Sequence, residues 1–258
     1  MLRHFLRLLI GVVAGFAILI AIVWVLSLTL GMREVLYQGE PLAYWQEACL
    51  STNPVERSQA IALLNAQILP DLTNTMFHDW NDSKLRLRAI QFLNELPGIE
   101  IAYVAAPGRR GGAASALGDF GPPASAAVPA LIEALNGSDP AVRRAAAIAL
   151  GRIHSEPDIV IPMLVPYLNS PGLAEAAVLG LGGFGPVAKP AVPELLALFN
   201  NPDPDTQKAV WYTLQGIDPD AFAAAVLEFR SRQDEAANEA RADAGAHTNS
   251  PPVLNPVQ

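Results

Sequence analysis

Histidine, cysteine and arginine are the side chains of this sequence that offer the most chemistry. The histidines are scattered, and only His78 has an acidic neighbour, Asp79. Adjacent residues of a helix point in different directions, whereas a structural metal site needs about four converging ligands. The sequence therefore predicts no metal site and no cofactor. The histidines are His4, His78, His154 and His247.

The single cysteine and a pair of arginines are further candidates. Cys49 could be a nucleophile, but no histidine lies near it in the sequence to activate the thiol, so a buried apolar role is favoured. Arg109 and Arg110 lie between glycines and could cradle an anion. A solvated pair of charges in a loop is the favoured interpretation, because charged runs usually face water.

No fingerprint of a catalytic centre accompanies these residues. The Walker and G-x-S-x-G motifs are missing from the sequence, and G-x-G-x-x-G occurs only at Gly180 to Gly185. The glycine-rich string from Gly180 to Gly185 follows a predicted helix rather than a strand, so we interpret it as a turn between helices. The sequence predicts no catalytic residue, no enzyme, and a binding site whose position is unknown.

The elements that hold these residues repeat with a period of 31 to 33 residues. Leu-Gly pairs, Val-Pro or Ile-Pro pairs, and turns that end in proline recur in step. A repeat of about 20–50 residues is typical of a solenoid. The markers are Leu117-Gly118, Leu150-Gly151 and Leu181-Gly182; Val128-Pro129, Ile161-Pro162 and Val192-Pro193; and Asp139-Pro140, Ser170-Pro171 and Asp203-Pro204.

Each repeat is predicted to contain two helices. In the clearest unit the first helix spans residues 124–135, and the second, rich in alanine, spans residues 141–151. Asp139 is suited to cap the second helix and Pro140 to begin it. Gly151 is expected to end it, as glycine often does.

Arginines and tryptophans at repeat positions could contact a partner. Each of the arginines follows an acidic or amide residue by four positions, and we expect it to bond that residue or a neighbouring turn. The tryptophans could be binding hot spots, but aromatic packing at the ends of the repeats is favoured. The residues are Arg57, Arg86 and Arg143, and Trp45, Trp80 and Trp211.

These repeats resemble the HEAT-repeat family, in the short form also found in phycobilin lyase-like proteins. The resemblance rests on residues 139–151 and on the Gly-x-Phe-Gly-Pro turns at residues 118–123 and 182–186, and it covers roughly residues 41–218. It implies an α-solenoid that binds partners. Residues 37–45 look like the lead-in of membrane-anchored bacterial HEAT proteins.

Three stretches lie outside this pattern or distort it. Residues 97–112 leave too little room for a full unit, so a short or distorted helix and a flexible loop are expected. A capping helix is predicted over residues 219–241. Residues 242–258 are short of apolar side chains and contain three prolines, so they are predicted to be disordered.

An uncharged apolar segment precedes the repeats. No charged residue occurs from residue 8 to residue 32, a run of 25 positions, and about 20 suffice to cross a bilayer. We predict a single-pass transmembrane helix over residues 8–31, after a cytoplasmic segment (1–7) and before a linker (32–40). Two arginines precede the span, which places the repeats on the extracytoplasmic, periplasmic side. A cleaved signal peptide is the alternative, although its apolar core is usually only about 7–15 residues long.

The rest of the chain is acidic. All 25 Asp and Glu residues lie beyond the apolar segment, against 15 of the 17 Lys and Arg residues, so its formal charge is −10. This charge argues against nucleic-acid binding, which depends on neutralising phosphates. A lone cysteine cannot form an internal disulfide.

The predicted fold class is all-α, an α-solenoid of HEAT-like two-helix repeats (41–218) following one N-terminal transmembrane helix. The predicted function is a scaffold or adaptor that binds a protein partner, of unknown identity, at the membrane surface. One alternative is a bilin-lyase-like enzyme that handles a chromophore, which rests on the repeat subtype alone. Another is a structural protein that self-associates, and the sequence leaves the oligomeric state open.

Overall fold

The computed structural model describes residues 35–79, 88, 91 and 104–248, and most of these residues are helical. The helices are α1 Leu42–Cys49, α2 Pro54–Leu63, α3 Leu69–His78, α4 Ala106–Asp119, α5 Val128–Leu135, α6 Pro140–Ile153, α7 Pro157–Leu164, α8 Ala174–Gly183, α9 Val192–Ala197, α10 Pro204–Ile217 and α11 Pro219–Thr248. A π-helical turn, Leu64–Ile68, joins α2 to α3. Short 3-10 segments lie at Pro122–Ala127, Val165–Asn169 and Gly185–Ala191.

The predicted transmembrane helix, residues 8–31, lies outside the described residues. Among the helices that the structure describes, none combines the length and the apolar character needed to span a bilayer. The membrane anchor therefore stays a prediction.

A short β-hairpin occupies the second half of the predicted linker. Strands β1 Leu36–Tyr37 and β2 Glu40–Pro41 pair antiparallel. The two residues between them have φ values of 52° and 90°, as a tight hairpin turn requires. The Trp45 indole nitrogen donates a hydrogen bond to the Tyr37 carbonyl oxygen at 2.9 Å, which links this half-buried tryptophan to the hairpin.

The chain divides into two compact units. The first is Met1–Asp71 with His78–Arg109, and the second is Leu72–Phe77 with Arg110–Gln258. In the first unit α1 packs against α2, and the Asn53 side chain caps α2 by accepting a hydrogen bond from the Val55 amide at 3.0 Å.

In the second unit the predicted two-helix repeats are confirmed. Within one repeat α5 packs against α6, and the second helices of successive repeats lie side by side, with α6 against α8 and α8 against α10. The core between them is aliphatic. Its fully buried side chains include Leu131, Leu135, Leu150, Leu164 and Leu168.

Glycines lie where these second helices approach each other most closely. A methyl group added to Gly118 would lie 2.6 Å from the Ala149 Cα, and one added to Gly180 would lie 2.5 Å from the Ala147 carbonyl oxygen. A methyl group on Gly151 would overlap the backbone of Gly180. Only glycine fits at such separations, because larger side chains would force the helices apart. We name the contact formed by Gly118, Gly151, Gly180 and Gly183 the glycine seam.

The seam corrects two predictions made for glycines. Gly151 was expected to end its helix, but α6 continues to Ile153 and ends at His154, which adopts a left-handed φ of 55°. The string from Gly180 to Gly185 was expected to be a turn, but its first four residues lie inside α8. In both places the glycine is needed for close packing rather than for a turn.

Two helix boundaries also differ from the predicted ones. The first helix of the clearest unit begins at Val128 instead of residue 124, and a 3-10 segment precedes it. Pro129 explains this, because a proline deeper in an α-helix loses a hydrogen bond and clashes with the preceding turn. At the other end, α11 runs to Thr248 and not to residue 241. Residues 242–248 are rich in alanine and contain no proline, which favours a continued helix.

The glycine seam predicts opposite effects for two glycine-to-alanine substitutions. Gly180→Ala should lower the free energy of unfolding by about 1–3 kcal/mol, because the new methyl group meets a neighbouring backbone. Gly216→Ala, in α10, is the matched control, since its methyl group would meet no atom within 4 Å. It should raise the free energy of unfolding by about 0.4–1 kcal/mol. Urea unfolding of the full chain, followed by circular dichroism, measures both, and an equal loss in the two variants would contradict the seam.

Candidate binding surface

Equivalent residues of three successive repeats form two parallel rows on α6, α8 and α10. The charged row holds one residue from each helix, at spacings of 31 and 33 residues, and the apolar row lies four residues further along each helix. Residues four apart share one side of a helix, so the two rows run next to each other. We name the six residues the repeat face. They are Arg144, Glu175 and Lys208, and Ile148, Leu179 and Tyr212.

The charged row contains one ion pair and one available cation. An Arg144 guanidinium nitrogen donates to a Glu175 carboxylate oxygen at 2.9 Å, and both side chains are partly exposed. An exposed pair of this kind contributes about 0–1 kcal/mol to stability. Lys208 is exposed, and no salt bridge joins it to another described residue. Its ammonium group is therefore available to a partner.

The apolar row is exposed at two of its three positions. Leu179 is 42% exposed and Tyr212 is 67% exposed, whereas Ile148 is half-buried. Exposed apolar side chains that cluster mark interaction sites. Sequence reasoning did not single out this row, although the repeat spacing from Ile148 was a signal that could have found it.

A groove along α10 continues the repeat face beyond Tyr212. Its volume is about 320 Å³. Three aromatic rings, two glutamine amides and one lysine line it, and none of its lining residues carries a carboxylate. Apolar walls with a few polar groups are the usual composition of a recognition site. We name it the α10 groove, lined by Pro204, Gln207, Lys208, Trp211, Tyr212, Gln215 and Phe222.

A cluster of aromatic rings holds the wall of the α10 groove in place. The Trp211 ring stacks on Phe199, with 5.3 Å between centroids, and its indole nitrogen donates to the Phe199 carbonyl oxygen at 3.1 Å. The Gln207 amide donates to the same oxygen at 3.3 Å. Phe222 and Phe229 of α11 pack around Phe199. The packing role predicted for Trp211 is confirmed, and the same ring also lines the groove.

Comparison with known proteins identifies the repeated unit. The sequence pattern of the family described as HEAT repeats matches residues 104–172. These residues are HEAT repeats. The structure is similar to a chain in the complex of CpcE and CpcF of phycocyanin lyase from Nostoc sp. PCC7120. The two chains are 20% identical, the match covers 74% of this chain and 71% of that chain, and the TM-score is 0.44. No curated protein matches the sequence.

The paired arginines at the start of the HEAT region are not the solvated loop pair that was predicted. Both lie in α4. In the first unit, Arg109 donates two hydrogen bonds to the Asp79 carboxylate, at 2.6 and 2.8 Å. In the second unit, Arg110 is only 4% exposed and pairs with Asp139. The prediction was wrong because each carboxylate lies 29 or 30 residues away in sequence. Both arginines have structural partners.

The arginines at the recurring repeat position do not make the bonds that were predicted. Asp139 caps α6 by accepting a hydrogen bond from the Ala141 amide at 2.8 Å, and its carboxylate also pairs with Arg110. Arg143 finds no side-chain hydrogen-bond partner among the described residues, and neither does the exposed Arg57. The N-cap role of Asp139 is confirmed, and Arg86 and Trp80 lie outside the described residues.

The remaining candidates for chemistry do not assemble a reactive site in the part of the chain that the structure describes. Cys49 is 1% exposed, and burial raises the pKa of its thiol. A protonated thiol is a poor nucleophile, so the buried apolar role is confirmed. Across residues 35–79 and 104–248, no three His, Cys, Asp or Glu side chains are grouped to hold a metal.

Two aspartates that flank helix α10 carry depressed pKa values. The Thr206 hydroxyl and amide donate to the Asp203 carboxylate at 2.5 and 3.1 Å, and these bonds lower the pKa of Asp203. The Ala221 amide, followed by Lys189 at 3.2 Å, lowers the pKa of Asp218. A depressed pKa in the folded state means that the ionised carboxylate stabilises the helix start that it caps.

These shifts predict that the chain loses stability in acid. Each aspartate stabilises the fold above its unfolded pKa of about 3.9, and the contribution disappears as the pH falls through the lower pKa of the folded state. Asp203→Asn and Asp218→Asn should therefore unfold at a lower temperature than the unchanged chain at pH 7, and at nearly the same temperature in strong acid. Glu194→Gln, at an exposed site, is the control. If the difference in unfolding temperature between these variants and the unchanged chain is the same at pH 7 and in strong acid, the stabilising role assigned to the ionised aspartates is wrong.

Proposed function

We propose that this protein is a membrane-anchored HEAT-repeat scaffold that binds a protein partner through the repeat face. The observation that supports the proposal best is the apolar row, with Leu179 and Tyr212 exposed at equivalent positions of adjacent repeats. Stacked repeats present such rows as extended binding surfaces. The available ammonium group of Lys208 adds a preference for an acidic group on the partner.

The anchor in this proposal is the uncharged segment of residues 8–31. Basic residues before it favour a cytoplasmic N-terminus, which places the HEAT repeats outside the cytoplasm of a bacterium. Residues 32–40 extend over at most about 30 Å. A partner would therefore be bound within a few nanometres of the bilayer.

The proposal is of a binding protein rather than an enzyme. The repeat face offers exposed apolar, aromatic and cationic side chains. Such side chains are suited to recognising the surface of a partner rather than to group-transfer chemistry. The bilin-lyase alternative and the self-associating structural role stay predictions.

Purification from membranes tests the proposal. The tagged full chain should fractionate with membranes and, after cross-linking and solubilisation, should bring down one partner in stoichiometric amount. Leu179→Ala together with Tyr212→Ala should reduce the recovered partner at least about tenfold, because a buried hot-spot side chain contributes more than about 1 kcal/mol. Val187→Ala is the matched control, since Val187 is 58% exposed but lies outside the repeat face.

Two results would count against this function. A full chain that appears in the soluble fraction would contradict the anchor. A chain that fractionates with membranes but recovers no stoichiometric partner, or recovers the same partner equally with all variants, would contradict the repeat face as the binding surface.

A further inference from the structure

We propose that the α10 groove of one copy of this chain binds the proline-rich segment of residues 249–258 from a second copy. The inference rests on the proposed function and deepens it, because Lys208 and Tyr212 belong both to the groove and to the repeat face. One partner of the repeat face would then be another molecule of the same protein.

The lining of the groove fits an extended, proline-containing ligand. The rings of Trp211, Tyr212 and Phe222 form its apolar walls. Proline-rich segments dock into aromatic-lined grooves because they are already extended and lose little conformational entropy on binding. The segment Asn249–Gln258 has this composition, with prolines at 251, 252 and 256.

The polar groups of the groove also fit such a ligand. An extended proline-rich chain makes no internal hydrogen bonds, so its carbonyl oxygens are free to accept. Lys208 and Gln215 line the groove and carry donors. The segment contains no charged side chain, so its docking buries no charged side chain against the aromatic walls, where an unpaired charge would be costly.

The walls are fixed before any ligand arrives. Trp211 is stacked on Phe199 and hydrogen-bonded to its carbonyl oxygen, and Phe222 packs against Phe199 from α11. Tyr212, by contrast, is 67% exposed and offers its ring at the rim. Preorganised walls reduce the entropy cost of binding.

The segment of the same copy does not reach the groove. Helix α11 carries the chain from Phe222 to Thr248, a distance of about 39 Å at 1.5 Å per residue. Fully extended from Thr248, Pro252 reaches about 14 Å and Pro256 about 29 Å. From Ser231 to Asn238 every side chain of α11 is exposed, so the helix leaves the packed surface as it runs towards the segment. A second copy must therefore supply the ligand.

Disulfide trapping between purified full-length chains tests this inference. One preparation carries Gln215→Cys, in the groove, and the other carries Val253→Cys, in the segment. The native Cys49 is buried, and the unchanged chain run in parallel measures any linkage through it. Mild oxidation of the mixture should yield a covalent dimer of the two variants. The control receptor carries Leu227→Cys on α11, at a site that is 67% exposed and outside the groove, and it should yield at least about tenfold less.

Further variants test whether formation of the trapped dimer depends on the aromatic rim of the groove and on the prolines of the segment. Tyr212→Ala in the receptor, or alanine at residues 251, 252 and 256 in the segment, should each reduce the trapped dimer several-fold while circular dichroism stays unchanged. A single chain with both Gln215→Cys and Val253→Cys should form no internal disulfide in dilute solution.

Three results would overturn the inference. The first is equal trapping by Leu227→Cys and Gln215→Cys. The second is an internal disulfide in the doubly substituted chain. The third comes from peptides added before oxidation: a decaproline peptide that suppresses the trapped dimer at a lower concentration than a peptide of residues 249–258. The last result would assign the groove to a foreign proline-rich ligand. Because only purified chain is present, failure here leaves the membrane partner test of the proposed function unaffected.

Discussion

The close approach of helix backbones along the glycine seam is the constraint on which the second unit depends. Gly118, Gly151 and Gly180 each face backbone or Cβ atoms of the next helix at distances that leave no room for a side chain. At such separations the helices cannot slide past each other without collision. The spacing and the register of α4, α6 and α8 in this unit are therefore fixed together.

Polar contacts between neighbouring repeats stabilise the same alignment of the helices. Arg110 with Asp139, Arg144 with Glu175, and Tyr167 with Asn136 each join residues separated by 29 to 31 positions. The exposed pairs contribute little stability individually. Arg110 is buried, and removal of the Asp139 carboxylate would take away a charged partner inside the unit, which is costly. The seam and these contacts align α4, α6 and α8, and the packing of α10 against α8 completes the two rows of the repeat face.

Much of this arrangement could be predicted from the sequence because it depends on local rules. The spacing of the Leu-Gly and Val-Pro markers predicted the repeats, and Asp139 followed by Pro140 predicted the start of α6. Predictions that depended on partners in another repeat were wrong. The sequence around Gly151 is the same whether the glycine ends a helix or lets a neighbouring helix approach closely. From the sequence alone Arg110 is interpreted as a charge in a loop, because its pairing with Asp139 is seen only in the folded structure.

The binding surface was harder to predict than the fold for the same reason. Nothing in the sequence around Leu179 or Tyr212 distinguishes an exposed apolar side chain from a core one, since each lies among other apolar residues of its helix. Only the packing of α8 between α6 and α10 decides which positions of each helix face solvent. The α10 groove likewise depends on Phe222 of α11, which lies beyond the recognisable repeats.

We propose that a partner protein binds the face formed by α6, α8 and α10. Site-specific photo-cross-linking in intact cells tests it most directly, with a photoreactive phenylalanine placed at residue 179 or at residue 187 of the full chain. Both positions are exposed, at 42% and 58%, but only the first belongs to the repeat face. We expect a discrete cross-linked partner from residue 179 and none from residue 187. Cross-links of equal yield from both positions, or none from residue 179, would contradict it.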